Sequence, residues 1–259
     1  MNIDIAISFN DVTPPKNIGM VLGSKPAYYE QLLFLLKSIK KNWDREIHDY
    51  KVRVYYSKNI SREKIEKLQS LGCTTIYNPE EVQPLLCREN IFNDKYEDEG
   101  DYTLVLDTDM IVLNTPTLHD KKDIYVKPSP NQLPKGMTRE KWKIANEKMG
   151  VTHDDKVIQH FNCGLILISN KVKKRFYDYY MCHLETLKLL ESYHRHLSIQ
   201  LYYSILIRKF NWGILDEKSN VFSSYLKNKK YSPDLPIDIL HYLGKSGFNE
   251  EVKKILKNL

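Results

Sequence analysis

No stretch of the 259 residues approaches the roughly 18 to 20 uninterrupted apolar residues of a membrane-spanning helix; the richest patch, Leu32 to Leu36, sits inside an amphipathic helical pattern. No basic leader or cleavage box opens the chain, because Met1 to Ser8 already alternates as a strand, and a cytoplasmic location is expected. Cysteine is scarce: Cys73, Cys87, Cys163 and Cys182 lie far apart with no CxxC spacing, which argues against a disulfide scaffold or a zinc cluster and for reduced thiols. Ten glycines and eleven prolines are too few for a collagen-like or low-complexity chain. The net charge is +6, yet no arginine-rich arm or aromatic-basic stripe is present. Lysines such as Lys37, Lys40, Lys64 and Lys253 fall on helical patterns interleaved with acids, so no nucleic-acid partner is expected. There is no internal repeat and no linker.

What remains is a chain with 42% apolar residues, enough for a sizeable core. Its first hundred residues alternate strand and helix. Ile3 to Ser8 reads as a strand, Tyr28 to Trp43 as a helix, Lys51 to Tyr56 as a strand, a helix capped by Ser61 ends at Gly72, and Thr74 to Tyr77 is a strand. This order predicts an α/β fold with one mixed, mostly parallel sheet flanked by helices and a Rossmann-like first half. Ligands in such sheets bind at the carboxyl ends of strands.

One strand end stands out. Leu104-Val105-Leu106 is a buried-strand run that stops at Asp107-Thr108-Asp109 before Met110 to Leu113 resumes it. In an extended segment residues i and i+2 face the same way, so both carboxylates can converge on one cation, and like charges that close need a metal or a basic partner. Lys127 to Gly136, with three prolines, reads as a surface loop, and Thr138 to Met149 as a helix. Phe161-Asn162-Cys163-Gly164 opens a strand through Ile168, Lys171 to Tyr193 reads as one long helix, and Ser198 to Ile207 as another. Ile237 to Leu240 is strand-like and delivers His241, whose imidazole and the glycines after it suit a third metal ligand beside a phosphate. Glu250 to Leu259 is an amphipathic terminal helix.

Four of these segments, in this order, resemble the motifs of nucleotide-sugar glycosyltransferases with the GT-A fold, and specifically family 8, the glycogenin and bacterial galactosyl- and glucosyltransferase group. They are Arg88, the strand with Asp107-Thr108-Asp109, Phe161-Asn162-Cys163-Gly164, and His241-Tyr242-Leu243-Gly244. The resemblance implies one GT-A domain over residues 1–259, with a nucleotide-sugar-binding half (1–113) and an acceptor-binding half with the C-terminal segment (114–259). It implies that Asp107, Asp109 and His241 hold Mn2+ or Mg2+ bridging the diphosphate. Ser8, Phe9, Asn10 and Asp11 would hold base and ribose. Asp107 would also approach the ribose, Arg88, Thr108, Gly244 and Lys245 would help hold the nucleotide-sugar, and Asn162 would lie by the donor sugar.

Two departures from the family pattern bear on the chemistry. The C-terminal lysine of the family would fall on Gly247, and Lys245 stands two positions earlier. The family's Asp-Gln pair is matched by Ile199-Gln200, keeping the glutamine alone. Gln200, Asn162 and Asp155 are therefore the expected catalytic residues, with Asp154, Asp216 and Glu217 as further available acids, and a retaining or an inverting outcome stays open. The expected activity is transfer of a hexose, from UDP-glucose or UDP-galactose, to an acceptor hydroxyl on a glycan or other acceptor. The rivals are a non-catalytic nucleotide-sugar-binding module and an aspartate-nucleophile phosphatase. The phosphatase wants a small hydroxyl residue at the position of Ile111. A sugar nucleotidyltransferase would want a glycine-rich loop where Val12 to Lys16 stands.

Overall fold

The computed structural model describes residues 1–9, 28–56, 60–77, 89–93, 100–118, 120–129, 133–134, 136–152, 160–194, 197–223, 236–242 and 250–259. Its main sheet begins with β1 (Asn2–Phe9), β2 (Asp49–Tyr56), β3 (Thr74–Tyr77) and β4 (Tyr102–Leu106), all parallel, with β1 between β2 and β4. It continues through β7 (Phe161–Ser169), β6 (Ile124–Pro128) and β8 (Trp212–Ile214), giving the order β3-β2-β1-β4-β7-β6-β8. Among these strands only β7 runs against the others, pairing antiparallel with both β4 and β6. The sheet is the mostly parallel one expected.

Side-chain alternation divides the core between its two faces. Ile3, Ile5 and Ile7 of β1, with Leu104, Leu106, Leu165 and Leu167, pack on Leu32, Leu35, Leu36 and Ile39 of α1 (Tyr28–Asn42). Ala6, Val105, Ile166 and Ile168 face the opposite layer. That layer is built from Phe92 of the short α3 (Glu89–Phe92), Trp142 of α4 (Arg139–Lys148), Phe176 and Tyr180 of α5 (Asn170–Cys182), Leu187 and Leu190 of α6 (Leu184–Tyr193), and Leu201 to Ile207 of α7 (Ser198–Ile207). Strands buried on both faces read as continuous apolar runs, as Leu104-Val105-Leu106 does. Ser61 caps α2 (Arg62–Ser70) by accepting from the Lys64 N–H, and Gly72 follows it with φ +88, a conformation glycine adopts without strain.

Three local readings need correction. The long helix expected from Lys171 to Tyr193 is two helices, because His183 leaves helical geometry (φ −119, ψ 22), its N–H bonded back to the Tyr180 carbonyl (3.3 Å) and its Nδ1 2.9 Å from the Tyr179 carbonyl. The loop expected from Lys127 starts late, since Lys127 and Pro128 still pair with Asn162 and Phe161. Finally, Met110 to Leu113 does not continue β4. The chain turns at Thr108-Asp109, and β5 (Met110–Val112) joins a separate small sheet of order β5-β10-β9, with β9 at Val221–Phe222 and β10 at Ile239–His241.

That small sheet is anchored on both sides. Ser38 and Asn42 of α1 take up the outer edge of β5, away from β10: the Ser38 hydroxyl accepts from Val112 N–H (2.9 Å), and Asn42 Nδ2 donates to Val112 O (2.7 Å). The terminal helix α8 (Glu250–Lys257) supplies Val252 and Leu256 to a third apolar cluster with Ile111, Leu240 and Tyr242.

Candidate metal centre

The turn at 107–109 lies between the two sheets, and both sheets shape it. β4 delivers Asp107, whose N–H donates to the Gly164 carbonyl of β7 (2.9 Å). β10 runs antiparallel to β5, so His241 faces Met110, and the Tyr242 N–H donates to the Asp109 carbonyl (3.0 Å). One ligand atom from each of Asp107, Asp109 and His241 lies within 4.8 Å of the other two. His241 Nε2 stands 3.1 Å from Asp109 Oδ1, with the histidine side chain 1% exposed and the aspartate 14%. Two carboxylates and one imidazole are oxygen-rich donors with a borderline nitrogen, a set that fits Mn2+ or Mg2+. The convergence expected from the spacing is present, although a turn and a second sheet produce it rather than one extended strand.

Gly164 explains how the site closes. A Cβ there would lie 2.6 Å from His241 Cε1, 2.8 Å from Asp107 Oδ2 and 2.9 Å from Met110 Cε, so the β7 backbone forms the wall of the cluster. The β6–β7 register shifts between Val126 and Lys127, leaving Cys163 to Leu165 without β6 partners at this point. Asn162 is buried there, its Oδ1 accepting from Gly164 N–H (3.0 Å) and Asn220 Nδ2 (2.8 Å). Asn220 in turn meets His241 Nδ1 through its Oδ1 at 2.9 Å, and Phe222 stacks on the imidazole at 5.4 Å and 27°. Asp109, His241, Asn220, Asn162 and Gly164 thus form one polar chain. Sequence reasoning does not reach Asn220; a turn-prone stretch, Asp216 to Asn220, ahead of Val221-Phe222 is its only signal.

Other expected residues gather at the same end of the main sheet. β1 pairs Ile7 with Leu106, so Ser8 is level with Asp107. Phe9 is buried at the strand end, its ring 6.0 Å from Tyr29. Thr108 forms the turn itself. Gln200 lies on α7, whose first turns are tied to β7: the Gln200 carbonyl accepts from Ser204 Oγ (2.6 Å) and Cys163 Sγ (3.7 Å), and Ser204 Oγ accepts from Phe161 N–H. Lys127, paired with Asn162, donates to the Asp216 carbonyl (3.1 Å); burial holds its ammonium below the usual lysine range, against the opposing pull of Glu217 and Asp216. Burial and the Asp109 charge both push the Tyr242 phenol up. Asn10, Asp11, Arg88, Asp155, Gly244 and Lys245 lie outside the described residues.

The fold is that of the GT-A glycosyltransferases. Solved structures similar to it include galactosyltransferase LgtC in complex with donor and acceptor sugar analogues, at 16% identity and TM-score 0.62, with 98% of this chain and 95% of that one covered. GlyE of Streptococcus pneumoniae is similar at 15% identity and TM-score 0.61, where 98% of this chain spans 59% of that one. Mouse xyloside xylosyltransferase 1 is similar at 12% identity and TM-score 0.54, with 93% and 97% covered. The sequence matches no protein-family model and no curated protein.

Proposed function

We propose that the chain is a metal-dependent glycosyltransferase, a single domain over residues 1–259 that moves a hexose from a nucleotide-diphosphate sugar, UDP-glucose or UDP-galactose, to a hydroxyl of a glycan acceptor. The observation that carries this reading is the convergence of Asp107, Asp109 and His241 at the carboxyl end of β4. A bound Mn2+ or Mg2+ supplies positive charge to a diphosphate leaving group there.

The chain's own residues do the rest. Ser8, level with Asp107, and Phe9 after it are assigned to the nucleoside, as are Asn10 and Asp11 from the motif they belong to. Arg88, Gly244 and Lys245 are assigned to the phosphates from the motifs they belong to, and Asp107 and Thr108 to the ribose side. Asn162, held rigid by two donors to its Oδ1, has its NH2 available to orient the donor sugar. Gln200, on α7, is assigned to the transfer point; one of the similar structures is a glutamine-to-glutamate active-site mutant of LgtC, which supports that assignment. Asp155 is the proposed acid near the acceptor. No helix among the described residues is long and apolar enough to cross a membrane. Among the described residues Cys73, Cys163 and Cys182 form no disulfide, and a cytoplasmic location is part of the proposal.

The test is a screen of UDP-, GDP-, ADP- and CMP-sugars with Mn2+, by thermal shift and then by release of sugar and nucleotide, on wild type and Asp109→Ala. Transfer or hydrolysis of one donor, lost in the variant and in excess chelator, is expected. Full activity of Asp109→Ala would overturn the metal reading, stabilisation without turnover would favour a binding module, and no stabilisation by any donor would sink the proposal.

A further inference from the structure

Hydrogen-bond logic around His241 leads from one backbone amide to the state of the imidazole. The Gly164 N–H can only donate, so the Asn162 atom 3.0 Å from it is the carbonyl oxygen. The Asn220 side chain approaches that same oxygen at 2.8 Å and must present its NH2 group. The other end of Asn220, its Oδ1, then faces His241 Nδ1 at 2.9 Å; an amide oxygen only accepts, so Nδ1 carries the hydrogen. In the neutral ring this leaves Nε2 with its lone pair aimed toward Asp109 Oδ1, 3.1 Å away. Two acceptors facing each other at that distance suit a shared cation.

The competing tautomer would defeat the site. With the hydrogen on Nε2, His241 would donate to Asp109, satisfying both groups and masking the nitrogen needed for ligation. We infer that Asn220 is the positioning residue that excludes this tautomer, holding His241 as a metal ligand and linking that ligand to Asn162. This rests on the metal reading of Asp107, Asp109 and His241. The backbone favours the same role, since Asn220 is only 1% exposed and sits at φ +57, a left-handed conformation that asparagine, aspartate and glycine tolerate best. Phe222, stacked on the ring, fixes its plane, so that only the position of the hydrogen is left for Asn220 to decide. Outer partners of this kind set the affinity of metal-binding histidines.

The experiment compares wild type, Asn220→Gly and Asn220→Asp. Both variants tolerate the backbone conformation, but only aspartate keeps an acceptor for Nδ1–H. Mn2+ affinity is measured by electron paramagnetic resonance, and the His241 tautomer by long-range 1H–15N spectra of the metal-free chain. Far-UV circular dichroism in chelator checks folding. Asn220→Gly is expected to lose about 10- to 100-fold in Mn2+ affinity and to shift its hydrogen to Nε2. Asn220→Asp is expected to keep Nδ1–H and affinity within about threefold, while its lost donation to Asn162 lowers kcat rather than raising the Mn2+ requirement. Folded Asn220→Gly with wild-type affinity, Asn220→Asp as defective in binding as Asn220→Gly, or a wild-type spectrum showing Nε2–H, would each overturn the inference. A wild type that binds no Mn2+ would remove the metal reading itself.

Discussion

Replacing Gly164 by alanine adds a methyl group at a point where the surroundings leave no room. The new Cβ would stand 2.6 Å from His241 Cε1, whereas carbon atoms in contact settle at about 3.5–4.0 Å, so the ring or the strand must yield by about 1 Å. The ring has little freedom to retreat: His241 has 0% exposure, Phe222 lies on its face, and Asp107 Oδ2, at 2.8 Å from the same Cβ, is displaced with it. Metal sites tolerate ligand displacements of about 0.2 Å. Mn2+ affinity should therefore fall at least as far as it does on loss of an outer partner, about 10- to 100-fold, and kcat/KM by about 100-fold. Overpacking itself should cost about 1–3 kcal/mol of stability. Mn2+ titration, donor hydrolysis and urea unfolding in chelator separate the three effects. Wild-type affinity and turnover in a folded Gly164→Ala chain would refute the placement of β7 as the wall of the site.

Two further predictions concern positions away from the ligands. Asp4, buried at the opposite end of β1, lies 3.5 Å from Arg53 and accepts from Gly100 N–H (2.8 Å); Asp4→Ala should destabilise the fold by about 3–5 kcal/mol in chemical denaturation while Mn2+ affinity stays at the wild-type value. Asp238 leads into β10, and burial, the largest influence on it, holds its carboxyl above the usual aspartate range. A raised folded pKa means that the ionised group opposes folding above that value and ceases to do so once pH falls below its unfolded value. Asp238→Asn should therefore unfold at a higher temperature than wild type at pH 7, with the gap closing as pH falls toward about 4; a gap constant across that range would contradict the burial of this charge.

The parts of the fold that sequence shows best are those with long periods. β1, α1, β2, α2 and β3 are legible because apolar alternation, the Ser61 cap and Gly72 all agree over several turns or pleats. Asp107, Asp109 and His241 are legible because charge and imidazole at the ends of apolar runs have few structural uses. Ile237 to Leu240 reads as strand-like, but the separate sheet it belongs to escapes, since β5, β9 and β10 have three, two and three residues, too few to show that they pair with one another. Asn220 escapes for a different reason: its importance comes from His241 and Asn162, 21 and 58 residues away, and its own neighbours describe only a turn. The continuous pattern across His183 hides the break between α5 and α6, because apolar spacing reports which face is buried and says nothing of where the axis bends.

Asp109 and His241 stand 132 residues apart in the chain, and β10, which brings the histidine, is held by α8. During synthesis the two aspartates therefore leave the ribosome long before the imidazole that completes their cluster, and under the proposed metal reading cation affinity would measure how much of the chain has been made and docked. Once docked, a cation at about 100 times its Kd would hold that late segment with about 2.7 kcal/mol of linkage free energy. Removal of α8 would, under the same reading, weaken cation binding before it unfolded the main sheet, because Val252 and Leu256 pack on β5 and β10 and not on β1 to β4.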